Sequence, residues 1–332
     1  MLAFVLRRLG LGVIVLWALS FASFCFLAGQ DAVLQEHPVL PQYWTWLKGV
    51  FTGQSYGTLN TPIESRLNPG TGANLVDAIG HTVVLLVVAF VLVVLFGLGL
   101  ALLTASLRGS PVDVVLRGLS YVAWAVPAFL LALIVQRLVD AVGGDRGVGP
   151  FPLAGWPGSC PFGSGLNAGS LQGCPAAGSG LGYVANVFRY ITLPAATLAI
   201  GFIGLQSRYL RSALLETLEA PFVVTAYAKG LTQRRVVLRH ALRASLPVFL
   251  SAVLADFGAI FGAALAVDWI YGLNGLGTVL VSDFPGPYSM ARFTNGYSVQ
   301  MVVMTAGVVV LLSSLLAELA VIWLDPRMRV VQ

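Results

Sequence analysis

Asp256, Gln206, Gln300 and Glu318 stand inside long apolar runs, and Asp268 closes one of them. A carboxyl or amide group is costly to hold in such a setting, so each is a candidate for gripping a solute or lining its path. For Gln206 an interhelical hydrogen bond is an equal reading. For Asp256 an internal pairing is the alternative, and Glu318 lies where Arg327 or Arg329 can neutralise it. A different chemistry belongs to Leu215–Pro247, where Lys229, Arg234, Arg235, Arg239 and Arg243 gather between two apolar stretches. A loop of that charge has to be solvated, and it is built to meet another molecule.

Reagents for catalysis are missing. The chain holds no GxxxxGK[ST] loop to cradle phosphates, no HExxH and no CxxC pair. Its three histidines, His37, His81 and His240, lie far apart at loop or helix ends, so no metal site is expected. Neither lysine, Lys48 or Lys229, falls in an apolar run, which leaves an intramembrane serine hydrolase without a base. No catalytic residue and no bound cofactor are therefore expected. Cys25 sits in the first apolar run as packing. Cys160 and Cys174 share a Gly/Pro/Ser-rich stretch, where a disulfide would close a loop of about 15 residues and add about 3 kcal/mol. Free thiols in a flexible loop are the alternative.

The elements that must position these groups follow from composition. Hydrophobic residues make up 57% of the 332 and charged residues 10%, with a mean hydropathy of +0.85. A soluble domain carries about 25% charge, so this is an integral membrane protein. A hydrocarbon core about 30 Å thick takes roughly 20 apolar residues in a helix. Six segments answer: 9–29, 82–106, 118–136, 190–207, 244–267 and 297–324. The fourth is the shortest and relies on Arg189 and Arg208 at its ends. With the N-terminus inside, thirteen of the 19 Lys and Arg fall on the cytoplasmic side and six outside, which fixes both termini in the cytoplasm. The net charge of +5 then needs no nucleic acid. Arg7-Arg8 before the first run resemble a signal peptide, but Gln30-Asp31 follow without a small-residue cleavage pattern, so a retained helix is expected.

Outside the spans, 30–80 is polar and turn-rich, with an aromatic island at Tyr43–Leu47 that suits the membrane interface. The loop 140–187 is long and glycine-rich, and 268–296 favours a looped or re-entrant path. Within the basic loop, Pro221 suits the first turn of a short helix, Gly230 suits a left-handed stop, and Thr232 suits the N-cap of a second helix that enters the membrane near Pro247. The short helix is expected to lie across the membrane face with small residues exposed.

The residues Ala125-Val126-Pro127-Ala128-Phe129, Leu193-Pro194-Ala195-Ala196-Thr197-Leu198 and Arg208-Tyr209-Leu210-Arg211-Ser212 then carry a resemblance. So do Thr225-Ala226-x-Ala228-Lys229-Gly230-Leu231, Arg239-His240-Ala241-Leu242-Arg243, Asp268-x-x-Tyr271-Gly272-Leu273-Asn274-Gly275-Leu276-Gly277 and Asp325-Pro326-Arg327. Together they resemble the membrane permease subunit of ABC importers of the dipeptide/oligopeptide/nickel class. Asn274 stands where that family usually has proline. The resemblance implies an all-α polytopic membrane protein with six transmembrane helices and the type I ABC importer permease fold, in a bacterial inner membrane. It implies a first helix plus outer segment at 1–77, a transporter domain at 78–326 with its coupling loop at 208–243, and a tail at 327–332.

It further implies that the short loop helix, at about 217–229, docks on a cytoplasmic ATPase, with Glu216, Phe222, Thr225, Ala226, Ala228, Lys229 and Gly230 forming the contact. Gln206, Asp256, Asp268 and Gln300 become candidates for the translocation path or gate. The implied partners are a second permease in a heterodimer, two ABC ATPase subunits that bind ATP and Mg, an extracytoplasmic substrate-binding protein and membrane lipid. The implied function is alternating-access import of short peptides or a related small solute. A stand-alone channel or ion-coupled transporter is the alternative, and it would work without an ATPase.

Overall fold

A computed structural model of the chain describes residues 2–30, 38–52, 75–143, 151–152, 154–157, 179–282 and 296–324. Among them there is no extended strand; the chain is a succession of helices. These are α1 (Leu2–Gln30), α2 (Val39–Thr52), α3 (Leu75–Ser106), α4 (Pro111–Ala125), α5 (Ala128–Gly143) and α6 (Leu181–Leu218). Then come α7 (Pro221–Ala228), α8 (Gln233–Val236), a π turn at Val237–Ala241, α9 (Leu242–Ala255), α10 (Phe257–Tyr271), α11 (Leu276–Ser282) and α12 (Gly296–Leu324).

Four described stretches are individually long and apolar enough to span a membrane: Arg7–Phe26, Asp77–Ser106, Leu181–Leu218 and Gln233–Ala255. Helices α4 and α5 qualify together, with a bend of 100° at Val126-Pro127. The cause is chemical, since proline removes a helical donor and pushes the residue before it out of the helical region. Val126 accordingly has φ −82° and ψ 120°. The expected third span is therefore two helices. The sixth lies in α12, whose described apolar part is Val302–Leu316.

Two other expectations change. The fourth span is not short: α6 runs for 38 residues, about 57 Å at 1.5 Å per residue. Helicity continues past Arg189 and Arg208 because nothing in the flanking sequence breaks it. The fifth span is split at Asp256, where ψ falls to −2° between α9 and α10. The bonds Asp256 N to Ala252 O and Ile260 N to Asp256 O, both 3.0 Å, keep the chain running on through the break.

The chain divides into two compact units, each discontinuous in sequence. The first is Met1–Leu85, Ala132–Pro194 and Phe261–Leu311. In it α2 occupies part of the segment read as turn-rich. Tyr43 and Trp46 are buried against Phe24. Only Trp44 of that aromatic island keeps a large exposed ring. The second unit is Leu86–Leu131, Ala195–Ile260 and Leu312–Gln332. Its core joins Ala101, Ala105, Leu210, Leu214, Ala241, Phe249 and Val253. There α4 and α6 touch at backbone level: a Cβ on Gly204 would lie 2.4 Å from the Ser120 carbonyl oxygen.

Candidate functional site

The basic loop folds as a short helix with a sharply defined end. Pro221 occupies its first turn and Ala220 precedes it in extended conformation, so α7 starts later than expected, and Glu216 and Thr217 belong to the last turns of α6. At the other end Gly230 has φ +77°. Its N–H donates to Tyr227 O at 2.9 Å, and the N–H of Leu231 donates to Ala226 O at 3.4 Å. This is the Schellman pairing, in which a left-handed residue turns two orphan carbonyls of the last turn onto donors beyond it. The apolar contact that accompanies such a cap is present as well, because Leu231 packs with Val223, Ala226 and Val236. Thr232 takes the N-cap position of α8, without a side-chain bond.

That packing decides which face of α7 is free. Val223 and Ala226, three residues apart, point inward, Ala226 with 6% of its surface left. Ala226 was expected to meet a partner and instead belongs to the loop's own core. Small residues were expected on the outer face, yet Phe222 (49% exposed), Val224 and Tyr227 occupy it, joined by Thr225 and Ala228. From Pro221 to Ala228 there is no charge; the cations Lys229, Arg234, Arg235 and Arg239 follow it, all exposed.

The loop is tied to the helices that flank it. Thr217 Oγ1 at the end of α6 lies 3.0 Å from Ser245 Oγ in α9. Higher on α6, Arg211 Nη2 donates to Asp113 Oδ2 at 3.0 Å, and Arg117 Nε lies 3.3 Å from the other carboxylate oxygen. Asp113 is buried, and it also accepts from Gly109 N at 3.3 Å while its own N–H donates to Ser110 Oγ at 3.1 Å. Sequence reasoning missed Asp113. Its signal was there, as Ser110-Pro111-x-Asp113 has the spacing of a capping box with proline at the first helical position.

Gln206 and Asp256 do come together. Gln206, fully buried on α6, donates from Nε2 to Asp256 Oδ2 at 2.8 Å. The polar residue that breaks the fifth span is thus held by an amide from the fourth, and Phe90 packs edge-on against the adjoining Phe257 at 5.6 Å. Gln206 Oε1 is buried with no hydrogen-bond partner among the described residues.

In the first unit Asp268 is fully buried and, among the described residues, faces no cation. Its carboxylate accepts from the backbone N–H groups of Gly275 (3.0 Å), Gly277 (2.6 Å) and Thr278 (3.2 Å), while Thr82 Oγ1 accepts from Leu276 N at 2.9 Å. These bonds hold a tight loop in which Gly272 has φ +60° and Asn274 φ +56°. Proline, the usual residue of the resembling family at 274, is fixed near −65° and has no place in that conformation. Gly277 is required sterically, because a Cβ there would fall 1.8 Å from the Leu265 carbonyl oxygen. His81 Nδ1 lies 3.2 Å from Asn274 O, and its ring stacks on Trp156 at 4.0 Å. Gly155 N donates to Tyr271 O at 2.9 Å. Gln300 donates to Ser20 O at 2.8 Å and accepts from Ser23 Oγ at 2.6 Å, so it bridges α12 to α1.

Cys160 and Cys174 lie outside the described residues, as does the side chain of Glu318. Among the described residues no group of His, Cys, Asp and Glu is arranged to hold a metal ion.

Against known proteins, residues 94–330 match the family model of binding-protein-dependent transport system inner membrane components. The chain is 27% identical to a protein of Brucella suis biovar 1 (strain 1330) that is provisionally named a peptide permease, covering 99% of this chain and 100% of that one. It is 28% identical to the oligopeptide transport system permease protein of Mycobacterium tuberculosis (strain ATCC 25618 / H37Rv), covering 89% of this chain and 82% of the relative. Its fold is similar to a chain of the MetNI methionine ABC transporter in inward-facing conformations, at a TM-score of 0.54 and 16% identity, over 76% of this chain and 96% of that one.

Proposed function

This chain belongs to the family of binding-protein-dependent transport system inner membrane components, and from that membership we propose that it passes short peptides through a path shared with a second, different permease. The chain is the membrane-spanning subunit of an ABC importer; ATP hydrolysis belongs to partner subunits, and a substrate-binding protein delivers the solute. Support for peptides comes from the names of relatives that align along most of the chain.

One observation carries the mechanism: α7 is a capped helix with an exposed, uncharged outer face, packed through Val223 and Ala226 onto Leu218 at the end of α6 and onto Leu231 and Val236 beyond its cap, while Thr217 and Ser245 tie α6 to α9. In the proposed reading Phe222, Thr225, Ala228 and Lys229 touch the ATPase, and Glu216 borders the contact. Gly230 fixes the helix's exit and Ala226 supports it from behind. Closure of the ATPases pushes α7, and the long helix α6 carries the displacement to the Gln206–Asp256 pair, placed beside the path. Asp268 and Gln300 act one step removed, holding the helices and the outer loop whose positions shape that path.

The test is Phe222→Asp in the assembled transporter. Placing a desolvated carboxylate at the centre of an apolar contact is expected to lower peptide uptake and ATPase co-purification roughly tenfold or more, with helical content unchanged. Normal uptake together with normal ATPase stimulation refutes the coupling role. Intact coupling without uptake of any di- or oligopeptide removes the peptide assignment alone. The channel alternative predicts solute flux from the chain without ATPase subunits.

A further inference from the structure

Among the described residues, Arg208 is the arginine of the α4–α6 contact that has no carboxylate beside it. Asp113 is taken by Arg211 and Arg117, Glu219 lies 3.8 Å from Arg108, and Asp256 is bonded by Gln206. Among the described residues Arg208 has only a backbone oxygen and two rings. Its Nη1 donates to Ser120 O at 3.3 Å, and its guanidinium carbon lies 4.4 Å from the Tyr121 ring centroid and 5.3 Å from that of Trp124. The contact is built in. Gly204, one turn before Arg208, brings α6 against Ser120, and a Cβ added at Gly201 would lie 3.4 Å from Ala123 O. That approach lays the guanidinium across α4 onto the face carrying Tyr121 and Trp124.

A guanidinium has five N–H donors in a planar fork, and only one bond is used here. Stacking holds the group flat through cation–π attraction without neutralising it. Tyr121 and Trp124 remain 58% and 52% exposed, so the cation sits beside open aromatic surface. A planar fork with free donors fits an oxyanion held through two parallel bonds. Its place along α6 selects the source. Residues 190–207 carry no charge, and Arg208 is the first charge after them on the side the basic residues assign to the cytoplasm. Tyr and Trp beside Arg at the end of an apolar run mark the headgroup level, where anionic lipid phosphate is concentrated.

We propose that Arg208, seated on Tyr121 and Trp124, binds the phosphate of an anionic lipid in the inner leaflet. The test uses the assembled transporter in nanodiscs of phosphatidylcholine, with and without phosphatidylglycerol. Phosphatidylglycerol is expected to raise the thermal midpoint of the native protein, and native mass spectrometry should find it retained roughly fivefold more than by Arg208→Gln. In phosphatidylcholine alone the two proteins should unfold at the same temperature. Arg208→Lys, which keeps charge but loses the fork, should recover only part of the retention. Equal responses to phosphatidylglycerol overturn the proposal, as does an equal loss of stability in both lipids. A third arm compares uptake of a dipeptide with that of its C-terminal amide. If Arg208→Gln abolishes that discrimination while lipid retention stays native, the oxyanion is the solute's carboxylate and the lipid assignment falls. Lipid retention needs no transport, so failure of the peptide reading leaves the first two arms standing.

Discussion

Asp268 and Asp113 are both buried carboxylates, and the two units neutralise them by opposite means. Around Asp268 no cation is found among the described residues; three backbone N–H groups of one tight loop converge on it. Around Asp113 most of the work is done by two arginine side chains, one from α6 and one from its own helix, with a single backbone N–H from Gly109 beside them. Burying a charge without such partners is prohibitive, so each site shows what its surroundings could supply. Backbone donors demand a fixed loop conformation, and therefore glycines. Side-chain cations tolerate more movement, and they leave the helix backbones free to be set by packing.

The contrast breaks most severely at Gly277. A methyl group there would overlap the Leu265 carbonyl, and relieving the overlap pulls the 277 N–H away from Asp268. Gly277→Ala is expected to cost about 4 kcal/mol, the far end of overpacking effects. It should be read as loss of monodisperse folded protein on detergent extraction. A fully folded Gly277→Ala protein would show that the backbone-donor site is pliable and dissolve the distinction.

Asp113→Ala should come next. It strands Arg211, which is largely buried, and Arg117, whose side chain is 41% exposed and can turn to water. Breaking a buried pair costs about 3–5 kcal/mol, and the exposure of Arg117 places this case near 3 kcal/mol. Keeping a carboxylate on a side chain one methylene longer, Asp113→Glu should retain part of the thermal midpoint that Asp113→Ala loses. No comparable rescue is expected of Asp268→Glu, because the three N–H groups around Asp268 are fixed by the loop.

How much of this was legible beforehand depends on how local the cause is. Although the helix was expected from 217, its start at Pro221 and its stop at Gly230 follow from the conformations those residues permit. The inward turn of Ala226 does not, because it is decided by Val236 and Leu231 packing from the next segment. The limits of α6 were misplaced for a related reason: hydropathy marks where a helix meets lipid, whereas nothing ends its hydrogen bonding until Leu218. Asp256 was singled out as a polar residue inside a span, but its partner Gln206 lies fifty residues away, and only the fold joins them. The basic composition drew attention to cations on the loop, and Asp113, an acid outside it, was overlooked although its capping spacing stood in plain view.

The smallest effect sharpens the comparison from the other side. Gly230, like Gly277, is constrained, but by conformation alone: φ is +77° and an added Cβ would meet nothing within 4 Å. Gly230→Ala therefore costs only the left-handed penalty, about 1 kcal/mol, and the thermal midpoint should hardly move. Its consequence lies in function. The penalty falls on the turn that fixes where α7 leaves for α8, so the helix should fray at its end and push less directly on α6. Peptide-stimulated ATPase turnover is expected to drop severalfold while ATPase co-purification persists. Asn at the same position, which tolerates left-handed geometry better than alanine, should restore most of it. Equal turnover in the Ala and Asn variants would mean that the glycine serves something other than the cap, and the proposed push of α7 on α6 would lose its clearest support.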